Sequence, residues 1–248
     1  HRVMKRHSTK ALVIALIAAA SLLFISASSV QAQTRSASTS TRFQKAQQAL
    51  EHAIVARQVQ LVLLGTEVAN SANVTSSDRM SLATIIGNEQ SALLTDATNA
   101  EQATTFAELD TVHQAMIGDE RVYVVVTAQV NLVLAADNDS VTETGYTSLA
   151  TELTPLVSEL SSTHATHLLS DITSRVSAAT SLTTNLSSEA LALTPAGYPG
   201  NESQINTYKF QLAQVAKDLG IAKGDVKAIE DIALGIHPKR VSTTTTTS

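Results

Sequence analysis

The chain has 248 residues, a formal net charge of −5, no cysteine, no tryptophan and only 3% aromatic residues. Without cysteine it has neither disulfide bonds nor thiolate metal ligands, so its stability must come from a packed core. Nucleic acids are bound by clusters of lysine and arginine and by stacked aromatic rings. The acidic balance and the scarcity of aromatic residues therefore argue against a nucleic-acid partner.

Residues 1–32 are organised like an export signal. The first ten positions hold four basic residues and no acid, and an apolar run of fifteen residues follows from Ala11 to Ile25. Small residues then lead to Ala32, which predicts a signal peptide cleaved after Ala32. An uncleaved anchor is the alternative, but the run is shorter than the roughly 20 residues of a spanning helix, so no stable membrane span is expected after cleavage. The mature protein is expected to be secreted or associated with the cell envelope.

The two ends of the mature region differ in composition from its centre. Residues 33–41 and 239–248 are polar and rich in serine and threonine. Segments of this composition cannot bury enough apolar surface to fold, so both are predicted to be disordered. The folded region is accordingly placed at residues 42–238. After Ala32 the chain has 13 basic and 22 acidic residues, a net charge of −9, which also disfavours binding to anionic membranes.

In the first half of the folded region, apolar residues recur every three or four positions, which is the period of an amphipathic helix. Threonines with an acid or amide three residues later predict helix starts at Thr41, Thr75 and Thr98. The first helix is expected to end near Asn73. The most apolar stretch, residues 122–136, continues the stripe of the third helix without a turn signal, so it is predicted to be a central helix that is buried nearly all round.

The second half shows the same periodicity. Ser140 with Glu143 predicts the start of a fourth helix, and residues 161–163 mark its end. A fifth helix is predicted to run on to Leu193, and the prolines and glycines of residues 194–200 predict a turn.

The last apolar repeat, from Ile205 to Ile236, alternates steps of three and four. This is the a/d seam that helices bury when they pack as in a coiled coil. No pair of alternating apolar segments is separated by a hairpin dipeptide. The sequence therefore predicts an all-α fold, an antiparallel helical bundle of five or six helices.

Two segments of this chain, residues 121–137 and 193–201, resemble the recurring signatures of an uncharacterised family of secreted helical proteins of actinobacteria. The resemblance extends over most of residues 42–236. Family members often have a proline near the position of Thr127, and this chain has none there. The resemblance implies export and a helical fold. It implies no activity and supplies no catalytic residue.

Candidate metal ligands are few and weak. His164, His167 and Asp171 are spaced so that one face of an unbroken helix would carry all three, and imidazole and carboxylate are ligands of zinc and similar metals. The alternative is two partly exposed histidines near a turn. Asp110 and His113 form one half of the kind of motif that di-iron bundles need twice, together with two further glutamates. No catalytic residue, cofactor-binding residue or cofactor is therefore predicted.

These observations favour an exported, non-enzymatic helical bundle that presents a surface to an unknown protein or envelope component. Arg121, Tyr123 and Tyr198 are the candidate anchors, since arginine and tyrosine are common in interfaces. The alternative is an extracytoplasmic binding protein for a metal or a small apolar ligand. A third hypothesis is an enzyme of unrecognised type, which a convergent cluster of histidine and acid side chains would support.

Overall fold

The computed structural model of the protein describes residues 32–235. In that range the chain is all-helical, as the sequence predicted, with five long α-helices, one short α-helix and a 3-10 turn, and it contains no strand. The chain divides after Gln44 into two units, and the helices that pack on one another belong to the second. The predicted signal peptide, apart from Ala32, and the predicted tail at 239–248 lie outside the described residues.

The described helices follow one another with short connections. They are α1 (Ala32–Asn70), α2 (Ser76–Gln102), α3 (Phe106–Leu160), α4 (Thr163–Thr183), α5 (Leu186–Leu191) and α6 (Glu202–Ala233), and the 3-10 turn is Pro195–Gly197. Helix α3 contacts α2, α4, α5, α6 and the 3-10 turn, so it is the central helix of the fold. None of the helices in residues 32–235 combines the length and the apolar character that crossing a membrane requires.

Helix α1 is tied to its neighbours by side chains that reach backbone carbonyls. Gln47 Nε2 donates to Ala100 O at 2.8 Å, at the end of α2. Arg57 Nη1 donates to Met116 O at 2.6 Å, in α3. The face of α1 that is turned inward buries its aliphatic side chains, which are Leu50, Ile54, Leu61, Leu64 and Val68. These five belong to the stripe that the sequence predicted for the first helix.

The apolar stretch at 122–136 forms the buried centre of α3. Its fully buried valines are Val125, Val126, Val130 and Val133. The prediction of a central buried helix is confirmed there, with two exceptions: Val124 and Asn131 are exposed. Burial of a whole aliphatic side chain contributes about 1.5–3 kcal/mol, so this stretch is a main source of stability.

A second part of the core joins α3, α4 and α6. Its buried residues are Ala150 and Val157 of α3, Ala165, Ile172, Val176 and Ala179 of α4, and Val215, Leu219, Ala222 and Ile229 of α6. The residues from α6 belong to the predicted a/d seam. The packing of that seam against two other helices is therefore confirmed for the described part of α6.

Several helix ends lie where the sequence predicted them. Thr75 precedes α2, and its side-chain oxygen accepts from Asp78 N at 3.1 Å. Between α3 and α4, Ser161 has the left-handed φ of 49°, and Ser162 Oγ accepts from Ala165 N at 3.2 Å. Serine and threonine at these positions replace the missing helical acceptors.

The predicted helix start at Thr98 is wrong. Thr98 lies inside α2, where its hydroxyl donates to Leu94 O at 3.0 Å. The actual start is Thr105, whose side-chain oxygen accepts from Glu108 N at 3.2 Å while the Glu108 carboxylate accepts from Thr105 N at 2.9 Å. Both threonines are followed by a glutamate three residues later, so the pattern alone could not identify which one caps a helix.

The predicted fourth helix does not begin at Ser140, because α3 continues to Leu160. Ser140 is exposed within α3, and Glu143 is buried and accepts a hydrogen bond from Thr183 of α4. The threonines of this segment donate to the carbonyl four residues earlier, so they are satisfied inside the helix and do not act as caps. Pro155 also lies within α3 and does not end it.

The predicted fifth helix is broken. Helix α4 ends at Thr183, and Asn185 has the left-handed φ of 66° before α5 begins. Asparagine tolerates this conformation better than most residues, which accounts for the position of the break. By contrast, residues 33–41, predicted as a disordered linker, are helical in α1. Extending an existing helix avoids the cost of nucleation, so a polar segment can continue it.

Candidate functional site

The structure does not bring the three predicted metal ligands together. His164 and His167 are both exposed at the start of α4, and Asp171 accepts from Arg175 Nε at 3.4 Å. Within residues 32–235, no group of three or more histidine or acidic side chains could hold a metal ion. Asp110 and His113, the other weak candidates, are exposed on α3.

Asp171 does take part in a polar cluster between α4 and α6. Arg175 Nη1 lies 3.0 Å from Asp218 Oδ1, and Gln214 Nε2 donates to Asp218 Oδ2 at 2.9 Å. The hydrogen bond from Gln214, followed by the one from Arg175, holds the pKa of Asp218 below its ordinary value. Since Asp218 is buried and fully bonded, this part of the cluster fixes the register of the two helices.

A second carboxyl of α6 approaches Asp171. Burial raises the pKa of Asp225, and the neighbouring Asp171 raises it further, while the charges of Arg175 and His164 act in the opposite direction. Of the predicted ligands, His164 and Asp171 therefore both lie near Asp225.

The middle of α3 holds a second buried acid, Asp137. It accepts from the backbone N–H of Thr75 at 3.1 Å and from the hydroxyl of Ser187 at 2.7 Å. These donors stand at the N-terminal ends of α2 and α5. A negative charge is stabilised at such a position, because the free N–H groups of a helix lie at its N-terminus. Asp137 therefore attaches both helices to α3.

Two more acids follow Asp137 along α3, and they are separated from each other by about one helical turn. Glu143 is buried and accepts from the hydroxyl of Thr183. Asp139 is half-buried. Burial, followed by the charge of Glu143, raises the pKa of Asp139 to about 6. Glu143 differs from Asp137 in that its donor outside α3 is a single neutral hydroxyl.

The two segments that carry the family resemblance contact each other in the fold. Gln129, which is buried in the first segment, donates through Nε2 to Leu193 O at 2.9 Å, where the second segment begins, and to Leu191 O at 3.1 Å. These carbonyls lie at the end of α5, where no helical donor is available. Gln129 is a structural link between helices that the sequence did not single out. Its only signal was a polar residue within an apolar run.

Two of the predicted interface anchors, Tyr123 and Tyr198, are not fully exposed. Tyr123 is half-buried in α3, and Tyr198 is half-buried after the 3-10 turn. Arg121 lies in α3 two residues before Tyr123.

An exposed apolar face was also missed, and it lies on α1. Its members are 53–62% exposed, and they are Val55, Val59, Val62 and Leu63. At about 100° per residue they occupy the side of α1 opposite its buried stripe. We call this face the outer stripe of α1. The one charged residue between Val55 and Leu63 is Arg57, whose side chain bonds to Met116 O in α3.

Comparisons with known proteins yield no relative. No family model matches the chain, no curated protein matches it, and no solved structure matches its fold.

Proposed function

We propose that this chain is an exported, non-enzymatic protein, an antiparallel helical bundle that acts by presenting an apolar helix face to a protein or envelope component outside the cytoplasm. The observation that carries the proposal is the outer stripe of α1. Contiguous exposed aliphatic residues are uncommon on proteins that act alone, and they mark surfaces that other molecules cover.

The size of the stripe limits the kind of interaction. Burying the exposed half of four aliphatic side chains contributes on the order of 3–6 kcal/mol. Association costs at least about 4 kcal/mol in lost translational and rotational freedom, so the stripe alone supports weak binding. A tighter complex needs polar contacts around the stripe, which residues such as His52 and Thr66, exposed on the same side, are placed to supply.

The polar side chains support a structural rather than a catalytic reading. Asp137, Asp218 and Gln129 are each bonded to groups on other elements of the fold. A catalytic acid needs access to a substrate, and these groups are buried. The alternative function, a carrier of a metal or small apolar ligand, has weaker support. A depression of about 670 Å³ beside Phe210 is open to solvent, whereas ligand sites usually enclose most of the ligand.

The interaction is tested by placing a charge in the stripe. Val59→Glu should abolish co-purification of the partner from the native envelope fraction. Val141→Glu is the matched control, because Val141 is a valine of similar exposure on α3. Circular dichroism checks that both variants fold. We expect at least one protein to co-purify with the full chain and with Val141→Glu but not with Val59→Glu. If no protein shows this pattern, the proposal is wrong.

Export is tested separately. Secretion by the native host, followed by N-terminal sequencing of the extracellular protein, should give Gln33 as the first residue. Recovery of the protein only inside the cell would contradict the proposed location without bearing on the stripe.

A further inference from the structure

The exposed side of α1 carries a row of residues that repeats at alternating steps of three and four. Its members are Lys45, Gln48, His52, Val55, Val59, Val62, Thr66 and Ala69, and all are exposed. This is the a/d spacing along which helices pair in coiled coils, and it extends over about 36 Å of helix. We call this row the outer seam of α1. The three valines of the outer stripe form its apolar centre.

The opposite side of α1 has the same spacing and is already in use. Its members, by which α1 packs on and bonds to the rest of the fold, are Gln47, Leu50, Ile54, Arg57, Leu61, Leu64 and Val68. At about 100° per residue, the two rows lie about 160° apart around the helix. A second helix can therefore lie along the outer seam without displacing the contacts of the inner row.

The charges along the outer seam are complementary when the seam meets itself in reverse. Between Gln48 and Thr66, none of the exposed residues of α1 is a lysine, arginine, aspartate or glutamate. Lys45 begins the seam, and Glu67 is exposed in its last turn. A parallel pair of seams would place lysine against lysine. An antiparallel pair brings Lys45 of each copy near Glu67 of the other, twice, as two-fold symmetry requires.

A second copy also suits the small size of the outer stripe. When two stripes cover each other, the apolar area removed from water is doubled, whereas translational and rotational freedom is lost only once. An unrelated partner gains as much only if it presents an equally apolar face. The expected complex is a reversible dimer with a dissociation constant in the micromolar range.

We propose that the outer stripe of α1 is covered by the same stripe of a second copy of this chain, in an antiparallel pair that places Lys45 of each copy beside Glu67 of the other. The inference rests on the proposed function, because it names the protein that covers the stripe.

Sedimentation equilibrium of the full chain tests the pairing. The chain should show a reversible monomer–dimer equilibrium. Val59→Glu should raise the dissociation constant by about tenfold or more, because it places two carboxylates in the apolar centre of the pair. Val141→Glu, at a similarly exposed valine of α3, should leave the constant unchanged. Circular dichroism checks that both variants fold.

Charge exchange tests the orientation. At low ionic strength, Lys45→Glu and Glu67→Lys should each raise the dissociation constant about fivefold, because each turns two attractive pairs into two repulsive ones. The double variant should restore the original constant in an antiparallel pair, whereas a parallel pair gives no reason for restoration. The two residues lie about 33 Å apart on one helix, too far to interact within one copy.

Cross-linking tests the register, since the chain has no cysteine of its own. With the pair centred near residue 57, Gln48 lies opposite Thr66 of the other copy. Mixing Gln48→Cys with Thr66→Cys under mild oxidation should give a disulfide-linked dimer. Neither variant alone should do so, because identical residues then lie about 27 Å apart.

Three results would overturn the pairing: a chain that stays monomeric at about 100 µM, a dimer that Val59→Glu leaves intact, or cross-linking by either single-cysteine variant alone. The proposed function is judged separately by the co-purification test. If the chain is monomeric but the envelope fraction yields a protein that Val59→Glu loses, the stripe binds a different partner and only the pairing is wrong.

Discussion

The side-chain nitrogen of Gln129 lies 2.9 Å from the carbonyl oxygen of Leu193, a residue 64 positions later in the chain. This bond ties the centre of α3 to the segment that leads into the 3-10 turn. The same nitrogen also donates to Leu191 O, so one amide group satisfies two carbonyls at the end of α5.

Replacing this amide should destabilise the fold. Gln129→Leu keeps most of the side-chain volume but leaves both carbonyls without their donor, and unsatisfied buried polar groups cost about 1–3 kcal/mol each. We expect a loss of about 2–4 kcal/mol in the free energy of unfolding, measured by urea denaturation. Asn131→Ala is the control, because that exposed side chain bonds only to Thr127 O of its own helix. A loss below 1 kcal/mol for Gln129→Leu would contradict the expectation.

Arg79 closes the C-terminal end of α1. Its guanidinium donates to the carbonyls of Val68, Ala69 and Ser71 at 2.6–2.7 Å. Arg79→Ala should cost about 1–3 kcal/mol, and Arg79→Lys should restore only part of it, because an ammonium group cannot reproduce the planar fork. Thermal unfolding measures both. Lys223→Ala, at an exposed position of α6, should have no effect beyond about 0.5 kcal/mol. Full rescue by lysine would argue against the role of the fork.

Asp137 anchors the starts of α2 and α5. Asp137→Ala removes the acceptor for Thr75 N and for the hydroxyl of Ser187, and we expect a loss of about 2–4 kcal/mol. The specific sign is faster exchange of the Thr75 amide, measured by NMR at pH 6. Asp110→Ala is the matched control on the same helix. If Thr75 exchanges at an unchanged rate, the carboxylate is not its acceptor in solution.

Asp218 should make the stability of the fold depend on pH in the acidic range. Hydrogen bonds from Gln214 and Arg175 lower the pKa of Asp218, so its contribution is present above its unfolded pKa, ordinarily about 3.9, and is lost as pH falls through the lowered folded value. Asp218→Asn should cost about 2 kcal/mol at pH 7 and progressively less as pH falls below about 4.

Urea denaturation at several pH values checks this expectation. Asp231→Asn is the control, because Asp231 pairs with the exposed Lys227 on the same helix, and surface pairs of this kind contribute about 0.5 kcal/mol or less. A cost of Asp218→Asn that is the same at pH 3 and pH 7 would rule out the charged bond as its source.

The sequence was sufficient for the features that depend on local periodicity. The helical class, the cap at Thr75, the break at 161–163 and the burial of the stretch 122–136 each follow from spacing and from short-range hydrogen bonding. The errors arose where one local pattern has two outcomes. Thr98 and Ser140 have the sequence pattern of helix caps, but both lie inside continuous helices, where a hydroxyl can bond to a backbone carbonyl or to solvent. Tertiary packing decides whether such a residue starts a helix or lies within one.

The candidate sites were less accessible to sequence analysis because they depend on the register between helices. His164, His167 and Asp171 share a spacing, yet Asp171 pairs with Arg175 one turn later, and that arginine also pairs with Asp218 of α6. Nothing in the local sequence of α6 identifies that pairing. The valines of the outer stripe of α1 are spaced three or four positions apart, like the buried residues on the other side of the helix. The sequence alone does not show which of the two faces is exposed.

The 55 residues of α3 form a helix about 80 Å long, and helices from both halves of the chain pack against it. Asp137, near its middle, bonds to Thr75 of the first half of the chain and to Ser187 of the second. Because both halves pack on the same helix, neither half can unfold without losing its contacts with α3. Separate unfolding of the two halves is therefore unfavourable. Heating should accordingly produce one sharp transition in residues 45–235, and calorimetric and van't Hoff enthalpies should agree.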